Sequence, residues 1–207
     1  MSTFTYVVTY WEARMSLRHA LLALLEAGPM TGYELAKQFD QSADRVWHAP
    51  HPQIYTELRK LEGEELVAAD EQPRGTKAVK RAYRLTPAGE GELRRWVSEV
   101  EAPAAVRDAV YLKATYFEYA EPDVVRRQFE LHRAHHQEQL QRWERHVAQL
   151  RAHETELLQR RLAHAPEADH EAIVAYKVHV YQGMAERART EIAWAERGLE
   201  LVKKLSG

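Results

Sequence analysis

Residues 16–40, SLRHALLALLEAGPMTGYELAKQFD, read together with HPQIYTELRKLE at 51–62, decide the fold. Leu17, Leu21, Leu24 and Leu25 recur at helical spacing, and Gly28-Pro29 supplies a helix stop. Thr31 stands three residues before Glu34, so its hydroxyl can cap a backbone N–H while the carboxylate reaches back to the cap residue. That spacing predicts a second helix with Leu35 and Phe39 turned inward. Past a polar connection holding Asp40, Ser42 and Asp44, Pro52 opens a third helix. Ile54, Leu58 and Leu61 form its apolar stripe, and Gln53, Thr56, Glu57 and Lys60 its opposite face.

Downstream, residues 66–72 read as a strand, as do 80–85, where Tyr83 and Leu85 alternate with Lys80 and Arg84. The loop PRGTKAV lies between them. Thr86-Pro87 starts a fourth helix that runs through Leu93, Trp96 and Val97 to about Val100. Three helices, a two-stranded hairpin and a further helix are the order of a winged helix-turn-helix. Upstream, Phe4, Tyr6, Val8 and Tyr10 alternate in a strand-like pattern. Met15 directly precedes the first amphipathic run, so residues 1–14 are expected to be an extension: a loosely attached arm, or sequence ahead of a start at Met15.

The second half differs in kind. Pro103 punctuates the chain, residues 106–119 read as one helix carrying Val110, Tyr116 and Phe117, and Pro122 opens the next. In that helix His136, Leu140, Trp143, Val147, Leu150, Glu154 and Leu157 follow alternating fours and threes, which predicts one unbroken heptad helix up to Pro166. A last helix over 168–205 shows Ile173, Tyr176, Val180, Met184, Ala188, Ala195, Leu199 and Val202 as its stripe. Long helices bury little alone, so these stripes call for another surface, most economically a second copy of the chain. The expected fold is mainly α: a winged helix-turn-helix at 15–102, whose wing is two β-strands, then an antiparallel long-helix dimerisation and effector domain at 103–207.

Composition removes whole classes. The 207 residues contain no cysteine, which excludes disulfides, thiolate metal sites, iron–sulfur clusters and thiol nucleophiles. A reducing cytoplasm fits such a chain. Mean hydropathy is -0.58, and no apolar run approaches a bilayer span or a secretory signal. With 29 Lys and Arg against 31 Asp and Glu, no whole-molecule field draws the chain to polyanions, so a nucleic-acid surface must be local. No catalytic constellation appears: no Gly-rich phosphate loop, no zinc-protease His-Glu pattern, and carboxylates that alternate with bases as surface pairs. The chain reads as a non-enzyme with no cofactor.

The hairpin carries the local charge. Residues 72–86 hold Arg74, Lys77, Lys80, Arg81 and Arg84 and no acid, whereas 62–71 hold five acids and no base. Cations on a protruding wing neutralise phosphates and give salt-dependent, sequence-blind affinity. On the third helix His51, Gln53 and Thr56 are suited to base edges, Gln53 foremost, and Tyr55, Arg59 and Lys60 to phosphates. Each could instead serve the fold, Tyr55 by packing on the second helix and Arg59 by pairing with Glu62 or Glu57.

Four segments resemble the PadR-like transcriptional regulators, in the subgroup with a long helical, virulence-activator-type C-terminus: 15–40, WHAPHPQIYTELRKLE at 47–62, KRAYRLTPAGEGEL at 80–93 and VYQGMAERARTEIAWAERGLELV at 180–202. The resemblance implies a homodimer whose third helix and wing contact a pseudo-palindromic operator on double-stranded DNA. It adds Tyr33 and Lys37 to the contact residues. One departure stands out: the family places Gly just before the Leu-Val of the first wing strand, and this chain has Glu65, which predicts a re-shaped helix end. Many such proteins are repressors released by small aromatic compounds. Tyr111, Tyr116, Phe117, Trp143, Tyr176 and Trp194, with Tyr119 and Tyr181, are candidates for an aromatic-walled pocket, although such residues are more often simply core.

Two other readings stay open. His132, His135 and His136 lie at i, i+3 and i+4 with Glu138 nearby, a spacing able to hold a nitrogen-liking metal in a metal-responsive regulator. With eleven His in the chain, interface or solvated histidines are the first reading, and no metal is expected. A helical adaptor that binds no DNA would account for the second half alone.

Overall fold

The computed structural model describes residues 17–38, 51–74, 78–102 and 108–206, with the backbone alone for 72–74 and 78–80. Phe39, Lys77, Pro103 and the extension 1–14 lie outside the described residues. The chain divides after Ala105 into two compact units.

In the first unit, α1 (Leu17–Leu25) sinks Leu21, Leu22, Leu24 and Leu25 into the core. β1 (Met30–Thr31) leads directly into α2 (Gly32–Gln38). The cap forms as its residues require: Thr31 N–H donates to Glu34 Oε2 at 2.7 Å, and Glu34 N–H donates to Thr31 Oγ1 at 3.2 Å. α3 (His51–Gly63) buries Ile54, Leu58 and Leu61, which close the core with Leu35, Met30 and Val67. The wing is β2 (Val67–Arg74) and β3 (Ala78–Leu85), antiparallel from Val67↔Leu85 to Arg74↔Ala78. β1 pairs on the other side of β3, Met30 opposite Tyr83 and Thr31 opposite Ala82, giving a three-stranded sheet in the order β1-β3-β2. That third strand was not foreseen, because two residues show no alternation.

α4 (Pro87–Ser98) is capped by Thr86, whose Oγ1 accepts from Gly89 N–H at 3.1 Å and donates to Glu65 O at 2.7 Å. It ends two residues before Val100. Leu93 and Trp96 are half-buried, but Val97, one residue on and so about 100° round the helix, is 70% exposed, and Val100 is fully exposed.

The junction of α3 and β2 corrects the expected re-shaping. Leu66 N–H donates to Leu61 O at 2.9 Å and Glu65 N–H to Glu62 O at 3.0 Å, the paired bonds that a glycine-ended helix makes. Glu65 holds the left-handed conformation itself, at φ 59°. A side chain there costs about 1 kcal/mol relative to glycine. Glu65→Gly is therefore expected to stabilise the unit by about 1 kcal/mol in urea unfolding; a loss of stability would show that Glu65 contributes contacts worth more than its strain.

The second unit begins with α5 (Ala109–Ala114), capped by Asp108, whose Oδ1 accepts from Val110 N–H at 2.9 Å and Tyr111 N–H at 3.3 Å. The single helix expected over 106–119 is not formed. Thr115 Oγ1 donates back to Leu112 O at 2.7 Å, and a separate 3₁₀ turn covers Phe117–Tyr119. α6 (Pro122–Arg151) is long but stops well before Pro166. His153 turns left-handed at φ 56°, with Glu154 N–H donating to Gln149 O at 2.8 Å and His153 N–H to Leu150 O at 3.1 Å. The unbroken heptad is thus corrected: α7 (Glu156–His164) is a separate helix, and Leu158 rather than Leu157 joins Val147, Leu150 and Val178 in the core.

After a 3₁₀ turn at Glu167–Asp169, α8 (His170–Ser206) returns antiparallel along α6. Trp143 meets Ala185 and Ala188, and Phe129 and Val125 meet Ala195. The expected stripe on α8 was partly misplaced. Small residues, Ala185, Ala188, Ala195 and Gly198, face α6 because the helices approach closely there, which leaves Tyr176 75% and Val180 51% exposed.

Candidate nucleic-acid interface

The helix-turn-helix presents one face of α3 outward, and that face follows from its burial pattern. Ile54, Leu58 and Leu61 fix the inner stripe, so His51, Gln53, Tyr55, Thr56, Arg59 and Lys60 fall on exposed positions. Gly32 lets the crossing close up: a Cβ there would meet Tyr55 Cε1 at 2.5 Å, so the ring lies against the start of α2 while remaining 40% exposed. Tyr55 therefore both packs and faces solvent. On α2, Tyr33 is 73% exposed and Lys37 is also exposed.

Charge is distributed unevenly over this face. Lys60 Nζ reaches Glu57 at 3.4 Å, an exposed i,i+3 contact of little energy. Arg81 pairs with Glu62 at 2.6 Å and sits 5.8 Å from the Tyr83 ring centre, while Arg84 pairs with Asp70 at 3.1 Å. The first of these pairs holds the wing against α3, and the second crosses from β3 to β2 within the wing. Lys37 and Arg59 make no ion pair among the described residues, and Gln53 no hydrogen bond. Thr56 Oγ1 donates to Pro52 O at 2.9 Å, which leaves only its lone pairs free. The wing tip carries Arg74 and Lys80 where backbone alone is described, and Lys77 lies outside the described residues.

Behind α3, a polar cluster ties α1 to α4. His19 Nε2 lies 3.1 Å from Glu92 Oε1 and its ring stacks on Trp96 at 4.7 Å, while Arg95 donates to Glu92 from the other side at 2.7 Å. The Arg95 hydrogen bond, followed by that of His19, holds the Glu92 carboxyl down at about 2. A depressed carboxyl contributes stability above its ordinary value and loses it as pH falls from about 4.5 through about 2. Glu92→Gln is expected to cost about 1–2 kcal/mol at neutral pH and nothing below pH 2. An equal loss at both pH values would mean that shape rather than charge fixes the cluster.

The aromatic candidates of the second unit do not form one pocket. Phe117 and Trp194 line an open, largely apolar cavity of about 610 Å³ with Val125, Phe129, Leu201 and Val202. The Tyr111 ring lies tilted against Trp194, with centres 4.6 Å apart, and is not among the residues lining the cavity. Tyr116 and Tyr119 lie in a separate shallow groove. Trp143 is buried beside Tyr181 and Met184, and Tyr176 points outward, because each sits at a different level of the α6–α8 pair. Of the histidines, His132 and His136 turn inward towards Glu191 of α8, whereas His135 is exposed beside Gln139 and Glu138 is exposed. Glu191 is not visible as a site residue in the sequence, where it looks like an ordinary helix-surface acid, and Glu62 pairs with Arg81 rather than with Arg59.

The order of elements and the exposed α3 define a winged helix-turn-helix protein. Residues 21–95 match the Transcriptional regulator PadR-like family. The Negative transcriptional regulator PadR of Bacillus subtilis (strain 168) is 38% identical over 102 residues, 49% of this chain and 56% of that protein. The chain thus spans about half the length of the curated relatives it matches. Similarity of structure extends further. The crystal structure of B. subtilis PadR in complex with operator DNA matches with a TM-score of 0.71 at 27% identity, covering 90% of this chain and 98% of that one. The same protein in complex with p-coumaric acid matches with a TM-score of 0.57 at 25% identity over the same shares. Among the described residues, no helix is long and apolar enough to cross a membrane.

Proposed function

We propose that the chain is a sequence-specific DNA-binding regulator, a homodimeric repressor released by a small aromatic ligand. The observation that carries the reading is the outer face of α3, where Gln53 and Arg59 stand exposed and, among the described residues, unpaired, on a helix whose other face is buried. A uniformly solvated helix would be expected to pair its cations with the many nearby acids. Residues 15–102 serve as the DNA-binding domain and 103–207 as the dimerisation and effector domain, in the cytoplasm where the operator is. His51, Gln53 and Thr56 read base edges, and Tyr33, Lys37, Tyr55, Arg59 and Lys60 engage phosphates. Arg74, Lys77, Lys80 and Arg81 supply the wing's sequence-blind contacts. The B. subtilis relative solved with operator DNA supports the DNA-binding reading.

Dimerisation is supported by apolar side chains left outside the single chain: Leu131 on α6 and Tyr176, Val180, Leu201 and Leu205 on α8. The effector reading rests on the cavity walled by Phe117 and Trp194, and on the p-coumaric acid held by the B. subtilis relative. Saturating p-coumaric acid is expected to quench the fluorescence of Trp194 and to raise the melting temperature, with the quench gone in Trp194→Phe. If a library of aromatic acids moves neither signal, the cavity is not an effector site.

The test of DNA binding is selection from random genomic fragments followed by sequencing. The expected product is an inverted repeat whose half-sites lie one turn, about 34 Å, apart. Gln53→Ala should relax base preference by about 1–3 kcal/mol while retaining non-specific binding. Equal loss on selected and random DNA would remove Gln53 from base reading, and failure to enrich any sequence would overturn the proposal.

A further inference from the structure

Inside the helical unit, α6 and α8 bring two imidazoles and a carboxylate to one point, beside a phenol hydroxyl from α5. His132 and His136 stand one turn apart on α6 with ring centres 4.4 Å apart, and Glu191 reaches them from α8. His132 Nε2 lies 3.0 Å from Glu191 Oε2, both side chains being only 10% exposed. Tyr111 of α5 donates its hydroxyl to the same Oε2 at 3.0 Å. One ligand atom from each of His132, His136 and Glu191 lies within 4.8 Å of the others. The second nitrogen of interest, His136 Nδ1, is buried without any hydrogen-bond partner. Buried polar atoms are nearly always satisfied, so an orphan among two potential ligands calls for an explanation.

We propose that His132, His136 and Glu191 bind one divalent transition-metal ion of the zinc type, with Tyr111 orienting the carboxylate from behind. Two ligand atoms about 2.0–2.1 Å from a tetrahedral ion lie about 3.3–3.4 Å apart. The 3.0 Å contact between His132 and Glu191 needs only a slight opening to reach that spacing. His136 supplies the third position, and the fourth is left to water. Two imidazoles with one carboxylate suit zinc, nickel, cobalt or copper and disfavour calcium and magnesium. The Tyr111 hydroxyl acts as the outer-shell partner that metal-ligating carboxylates commonly have. The ion ties α6 to α8 and, through Tyr111, to α5. None of this depends on the reading of α3 as a DNA-binding helix.

The experiment uses the full chain, stripped by chelator and titrated with Co²⁺ and Zn²⁺ without DNA, followed by calorimetry, visible absorption and melting. One ion per chain is expected, with a low-symmetry cobalt spectrum and a rise in melting temperature of about 5 °C at saturating Zn²⁺. His136→Ala should lower metal affinity about 10–100-fold or more and abolish most of the rise in melting temperature that Zn²⁺ produces, measured against the variant's own metal-free value. Glu191→Gln, which keeps the shape and the Tyr111 contact, should weaken binding similarly. His135→Ala, on the same helix but exposed, should bind as the native chain does. Absence of stoichiometric binding, native affinity in His136→Ala, or an equal loss in His135→Ala would overturn the site.

Discussion

Gly89→Ala is expected to destabilise the winged-helix unit by about 3 kcal/mol, although alanine is the better helix former by about 1 kcal/mol. Gly89 is buried in the first turn of α4, and a Cβ there would lie on the backbone carbonyl oxygen of Leu66. That oxygen cannot swing aside as a side chain could. It already accepts from Thr86 N–H at 3.2 Å, and Leu66 N–H donates to Leu61 O, so the cap of α4 and the end of α3 are joined through one residue. Moving it would disturb Thr86 and β2 together. Calorimetric unfolding of the variant reads the effect. A native or higher melting temperature would show that α4 is not docked against the start of the wing.

The second large effect concerns binding. Lys37→Ala, Arg59→Ala and Lys60→Ala combined are expected to weaken binding to the selected DNA site about a hundredfold near physiological salt. Each phosphate contact contributes about 0.9 to the slope of log K against log salt, so the slope should fall by about three. The same loss is expected on random DNA, because phosphates carry no sequence information. Titrations at several salt concentrations, on both DNAs, separate this from the Gln53→Ala outcome. An unchanged slope would mean that these cations do not meet phosphates.

The winged half was legible because its signals are local. The Thr31–Glu34 box, the Ile54–Leu58–Leu61 stripe and the Thr86-Pro87 start each fix an element within a few residues. What the sequence hid was settled by partners distant in the chain. β1 exists only because Tyr83 and Ala82 of β3 offer it hydrogen bonds. The break after Arg151 depends on His153 adopting a left-handed conformation, which histidine rarely signals, so the heptad rhythm ran on past the true end. Glu65 shows the converse: the family's glycine is absent, yet the helix end it would make is kept, with the strain borne by the side chain.

The candidate sites divide along the same line. Exposed positions on α3 follow from its periodicity and were readable from the residues. The inward group was half-read: the His132/His136 spacing is visible on one helix, but Glu191 lies 55 residues beyond His136, and nothing in its neighbourhood distinguishes it from the other acids of α8. Aromatic residues were the least informative. Trp143, Trp194 and Tyr176 are chemically alike as sequence, and only their level along α6 and α8 separates core, cavity wall and exposed surface.

The most direct measurement of the regulator reading is the mass of the protein–DNA complex on a selected site, taken with its hydroxyl-radical footprint. Two chains per duplex, protecting two patches about one helical turn apart on one face of the DNA, is the predicted result. One chain per duplex, or a single patch with no second half-site, would contradict it.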